Sequence, residues 1–127
     1  RYLGHVAETR AVVAPGETAL YACLPYRVQS LDVSLPAQVA AGDSWNVKAA
    51  VRSSAAVSGD HVFHVEVLGP GGKRMDHYSR NVLAPRGQVE LSVPLTCNDP
   101  AGQWTVRIRD VLSGASSQAT TQVRASR

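Results

Sequence analysis

The chain has 127 residues, which suits one domain of ordinary size and leaves little room for a second. Its formal net charge is +3, and the arginines are scattered: Arg52, Arg74, Arg80, Arg86, Arg107, Arg109 and Arg124 lie among acidic residues and form no run. That pattern excludes the concentrated basic stripe of a nucleic-acid binder, and no stretch approaches the roughly 20 apolar residues of a membrane span.

Valine is the common hydrophobic residue, whereas Phe and Met each occur once. β-Branched valine suits the pleated, half-buried surface of a sheet. A chain of this length should bury roughly two-thirds of its unfolded surface, so a core can form without metals or a disulfide framework. The two cysteines, Cys23 and Cys97, are too few for a disulfide scaffold and too far apart for a zinc motif. Two outcomes stay open for them: one bridge between strand ends, or two small, partly buried thiols. The chain begins Arg-Tyr-Leu-Gly, with no initiator Met and no apolar leader. An excised domain or a mature fragment is therefore expected.

Taken in order, the first predicted elements are a weak strand over 3–8, an Ala14-Pro15-Gly16 turn and a strand over 18–24. Pro25 then interrupts the ladder. Residues 1–26 are read as terminal strands or a docked linker, possibly belonging to a preceding domain, and 27–127 as the main domain. Over 31–35, Leu31, Val33 and Leu35 point inward. Over 44–52, Trp45, Val47, Ala49 and Val51 share one face. Over 62–68, Phe63, Val65 and Val67 alternate with His64 and Glu66. A further strand is predicted near 75–79. Over 88–95, Val89, Leu91, Val93 and Leu95 alternate with polar residues. Trp104, Val106 and Ile108 do so over 103–109, and Ala119, Thr121 and Val123 over 118–124. A period of two puts one face of each strand on a core and the other in water. No segment carries a 3.6-residue period, so little helix is expected. Turn residues recur between these strands, as at Gly69-Pro70-Gly71-Gly72, Ala84-Pro85-Arg86-Gly87 and Asn98-Asp99-Pro100-Ala101-Gly102. The phrase Val-Val-Ala-Pro-Gly and its variants, at 12–16, 39–42 and 82–87, is shared turn grammar and not an internal repeat. The reading is all-β: an immunoglobulin-like, two-sheet antiparallel sandwich of about eight or nine strands.

Motifs that carry chemistry are sparse. No nucleophile elbow, phosphate loop, zinc-protease helix or dinucleotide fingerprint is present. Gly69–Gly72 precedes no helix, so it reads as a hairpin turn. His61 and His64 stand three apart on a strand and project to opposite faces, which prevents them from chelating one ion. Glu66 and Glu90 occupy outward strand positions, far from the paired geometry of a glycosidase. Trp45 and Trp104 fall in phase with inward valines and are assigned to the core. Tyr2, Tyr21, Tyr26 and Tyr78 are left as exposed aromatic contacts. Asp76, His77, Tyr78 and Arg80 form a polar cluster read as a surface contact or as a protected sheet edge. No catalytic residue, cofactor or metal is implied, and the chain is not read as an enzyme.

From Val28 to Val123 the sequence resembles the immunoglobulin-like and macroglobulin-like β-sandwich modules of large bacterial secreted proteins, including glycoside-hydrolase-like chains. The residues that carry the resemblance are Val65-Glu66-Val67-Leu68-Gly69-Pro70-Gly71-Gly72-Lys73, Tyr78-Ser79-Arg80-Asn81-Val82 and Pro94-Leu95-Thr96-Cys97-Asn98-Asp99-Pro100-Ala101-Gly102-Gln103-Trp104-Thr105-Val106, with Arg109–Gly114 as a closing hairpin. The order Cys23, Trp45, Cys97 imitates an antibody domain, but Leu95 stands where such a domain has Tyr. The resemblance implies a non-catalytic structural or interdomain-docking module of a secreted multidomain protein. Its partners would be neighbouring domains of the same polypeptide. A carbohydrate-binding module and a protein-binding macroglobulin-type domain are the alternatives. It implies an extracellular or periplasmic setting, with no nucleic-acid or membrane partner.

Overall fold

A computed structural model describes residues 3–126. Eight strands follow one another: β1 (Val28–Ser34), β2 (Gln38–Ala40), β3 (Ser44–Ser53), β4 (His61–Leu68), β5 (Arg80–Ala84), β6 (Gln88–Pro94), β7 (Gly102–Asp110) and β8 (Ser116–Arg124). They form two sheets, of order β1-β3-β6 and β2-β8-β7-β4-β5. Every pairing is antiparallel except β2 with β8. Two short 3-10 turns are the only helical elements among the described residues, and no helix is long and apolar enough to cross a membrane.

The alternation expected from the sequence sets the interior. Trp45, Val47 and Ala49 of β3 and Leu91 and Val93 of β6 face Phe63, Val65 and Val67 of β4 and Trp104, Val106 and Ile108 of β7. Trp45 and Trp104 are both fully buried. Their rings meet edge to face at 6.1 Å and 89°, a geometry worth about 0.5–1.5 kcal/mol beyond the area it buries. Each indole N–H has an acceptor: Trp104 Nε1 donates to the Pro100 carbonyl at 2.9 Å, and Trp45 Nε1 donates to Thr121 Oγ1 at 3.1 Å. Thr121 is the register partner of Trp104 on β8. Its hydroxyl donates in turn to the Pro36 carbonyl at 2.6 Å. One chain of hydrogen bonds therefore runs from the three-stranded sheet, through the five-stranded sheet, to the crossing between β1 and β2. That crossing is also held by Gln122 N–H donating to the Ala37 carbonyl at 3.0 Å.

Several elements differ from the sequence-based reading. The strands expected over 3–8 and 18–24 do not form: residues 3–27 hold no strand, and Leu20 and Tyr21 lie exposed. A strand needs a ladder partner, and no edge of this sandwich pairs with that segment. The strand expected near 75–79 is a turn in which Tyr78 and Ser79 N–H groups both donate to the Met75 carbonyl at 3.1 Å, and β5 starts at Arg80. β2 is too short, at three residues, to display a period. Gly102 opens β7 at φ +142, where a Cβ would lie 2.9 Å from Pro70, so this glycine is required both by conformation and by space.

Thr121→Val tests the cross-sheet chain. It keeps the volume but strands the Trp45 N–H and the Pro36 carbonyl without partners. A loss of about 1–3 kcal/mol is expected in urea unfolding, with the slope unchanged.

Candidate functional site

Of the predicted surface cluster, Asp76, His77 and Arg80 are exposed and Tyr78 is buried. Asp76 is exposed and lies 2.8 Å from Arg74. His77 is exposed, with its ring 4.0 Å from that of Tyr78. Arg80 is exposed at the start of β5. Tyr78 corrects the expectation of an exposed aromatic: it is buried, its ring packs 6.0 Å from Trp104, and its hydroxyl donates to Asp99 Oδ2 at 2.6 Å. The Thr96 N–H completes the set, donating to Asp99 Oδ2 at 2.8 Å and approaching the Tyr78 oxygen at 3.1 Å. Burial, and then the bond to Asp99, raise the Tyr78 phenol above its usual 10.0. This group closes the end of the sandwich where β7 begins.

A second buried group closes the other end, and the sequence reading missed it. Asp110 and His61 have side chains sealed from solvent. His61 Nδ1 and Asp110 Oδ1 lie 2.9 Å apart, and His61 Nε2 lies 2.8 Å from the Tyr26 hydroxyl. With Nδ1–H donating to the carboxylate, Nε2 accepts from the Tyr26 O–H. The Tyr26 oxygen accepts the Gly59 N–H at 2.8 Å. Asp110 Oδ2 also accepts the Ser113 hydroxyl and N–H, which turns the β7–β8 loop. The available signal was parity: His61 is in phase with Phe63 and Val65, and Asp110 with Ile108 and Val106. An inward polar residue at a strand end demands a partner, but parity does not name it.

The order Asp–His–Tyr has the outline of a proton relay. The geometry makes it a clasp instead, because every polar atom of the chain is already paired and the imidazole is enclosed. His64 projects to the opposite face from His61, as expected, and lies 2.7 Å from Asn81 Oδ1. Among the described residues no three His, Cys, Asp or Glu side chains are placed to hold a metal ion. Cys23 and Cys97 are both exposed and free, so the bridge left open by the sequence is not formed. Glu66 pairs with Arg107 at 3.1 Å and Glu90 with Lys48 at 3.6 Å. Tyr21 is exposed, Tyr26 half-buried, and Tyr2 lies outside the described residues.

Two open surface depressions stand out among the described residues. One, of about 410 Å³, is lined by Ser34, Pro36, Asn46 and Lys48 among others. The other, of about 520 Å³, is lined by Arg52, Ser53, Ser58 and Arg86 among others. Neither lining includes a carboxylate, imidazole, thiol or phenol, and the one amine, Lys48, lies 3.6 Å from Glu90.

No family model matches the sequence, and no curated protein matches it. The fold does match solved structures. A β-glucosidase from Listeria innocua superposes with a TM-score of 0.52 and 15% identity over 95% of this chain and 20% of the enzyme. The same enzyme in complex with isofagomine gives 0.51 and 16% over 81% of this chain and 17% of the enzyme. The CARDB domain of a Pyrococcus furiosus protein, in complex with di-metal ions, gives 0.50 and 10% over 84% of this chain and 95% of that domain. The chain thus spans about a fifth of the enzyme and nearly all of the isolated domain. At these identities the likeness is one of fold.

Two outcomes test the closures. Tyr26→Phe keeps the ring but removes both hydroxyl bonds. A loss of about 1–2 kcal/mol is expected, with faster hydrogen exchange at the Gly59 amide. For Tyr78, the folded phenol titrates above the unfolded one. Its contribution is therefore complete below pH 10 and is lost as the pH rises through the folded value. Unfolding free energies measured upward from pH 9 should fall more steeply for the native chain than for Tyr78→Phe.

Proposed function

We propose that this chain is a non-catalytic β-sandwich module that positions neighbouring domains of a larger polypeptide. The observation that carries the reading is the scale of the fold match: a fifth of an enzyme chain on one side, and nearly the whole of a free-standing domain on the other. The internal chemistry supports it. The polar residues of the interior, Thr121, His61, Asp99 and Asp110, are all spent on framework bonds, and no buried side-chain polar atom among the described residues lacks a partner. The rigid part begins at Val28, and Tyr26 and the Arg27 backbone tie the preceding segment to it. Residues 1–26 are on this reading a linker docked through Tyr26. The proposed setting is extracellular or periplasmic, carried by resemblance to secreted modules. Recovery of the parent polypeptide from the cytosolic fraction would count against that part.

Trp45 and Trp104, the rings that a sugar-stacking platform would use, are inside the core, and this removes the support for a carbohydrate-binding module. Protein docking keeps a specific observation: Val62, Leu83 and Val111 are 36%, 60% and 46% exposed at one end of the five-stranded sheet.

The test is enzymatic. The chain is expected to release no product from aryl glycosides above the buffer rate, and deletion of residues 28–126 from the parent should lower the Tm of the adjoining domain. Turnover that disappears with Glu66→Gln or Glu90→Gln would overturn the proposal.

A further inference from the structure

The two outer faces of the sandwich differ in charge. On the three-stranded sheet the ionic side chains neutralise one another: Lys48 lies 3.6 Å from Glu90, and Arg52 bonds Asp32. On the five-stranded sheet, alternation brings Arg107, Arg109 and Arg124 outward against a single glutamate, Glu66. Glu66 is shared between Arg107 at 3.1 Å and Arg74 at 3.5 Å, and Arg74 also pairs with Asp76 at 2.8 Å. Arg109 has no acidic partner among the described residues.

Strand register arranges this face in rows. Glu66 stands opposite Arg107, and His64 opposite Arg109. In the next row Val62 stands opposite Leu83, and Val111 continues it by donating its N–H to the Val62 carbonyl at 2.9 Å. An apolar row therefore borders an uncompensated arginine. We propose that this face is an interface for an acidic protein surface, with an apolar side chain seated on Val62, Leu83 and Val111 and carboxylates meeting Arg109 and Arg107.

The chemistry separates protein from other polyanions. Guanidinium forks match carboxylates in two-point geometry. Arginine beside apolar side chains is the composition of protein interfaces. Single-stranded nucleic acids need aromatic platforms, and this face presents none besides His64. A sulfated polysaccharide would gain nothing from the apolar row. The proposal deepens the docking role above, but the two fail differently: turnover removes the non-catalytic reading, whereas absence of binding here leaves it standing.

The experiment titrates the chain into a fluorescein-labelled synthetic peptide in which a glutamate run adjoins a leucine run, followed by anisotropy. Saturable binding is expected. The double substitution Arg107→Gln and Arg109→Gln should weaken it about tenfold or more, and Leu83→Ser several-fold. Lys48→Gln and Arg52→Gln on the opposite face should leave it unchanged. Absence of saturable binding, an equal loss from the opposite-face variants, or indifference to Leu83→Ser would each overturn the proposal. So would tighter binding of dextran sulfate or single-stranded DNA than of the peptide.

Discussion

Two indole rings from opposite sheets meet edge to face at the centre of this domain, and much of the fold follows from satisfying their N–H groups. Trp104 finds an acceptor in its own preceding loop, at Pro100. Trp45 does not: it sits near the start of β3, paired with Val93 of β6, with its ring fully buried. Its acceptor is Thr121, on the other sheet and 76 residues away in sequence. A buried donor without a partner costs about 1–3 kcal/mol, so the two sheets are locked in one relative position as well as pressed together by apolar burial.

The same constraint reaches the strand crossing. The Thr121 hydroxyl passes the chain on to Pro36, where the polypeptide leaves the three-stranded sheet and joins the five-stranded one as β2. Pro36 has no N–H to waste at the crossing, and its carbonyl is the terminus of the relay. The two ends of the sandwich repeat the solution with different residues. Tyr78, Asp99 and Thr96 close one end, and Tyr26, His61 and Asp110 close the other. In each, a tyrosine hydroxyl meets a buried side chain: His61, turned inward by strand parity, at one end, and Asp99, from the turn before β7, at the other.

The buried polar side chains are paired with one another, and the ionisable groups open to a partner are those on the outer faces and loops. There the two sheets are not equivalent. One balances its charges locally, and the other carries arginine beside exposed valine and leucine. The domain thus presents one locally neutral face and one basic, partly apolar face.

Much of the fold was legible in the sequence. A period of two identified which face of β1, β3, β4, β6, β7 and β8 enters the core, down to Trp45 and Trp104, because alternation is dictated by the pleat of a single strand. The parts that were not legible are those set by distant partners. Residues 18–24 have strand character but no ladder to join, and β2 is a strand only because β8 lies beside it. Tyr78 was read as exposed because nothing nearby in sequence shows that Trp104 and Asp99 will cover it. The sequence by itself determined strand identity and inward face, since these depend on neighbouring residues. Only the tertiary structure decided which buried polar groups meet, since His61 and Asp110, or Trp45 and Thr121, become neighbours only when the sheets close.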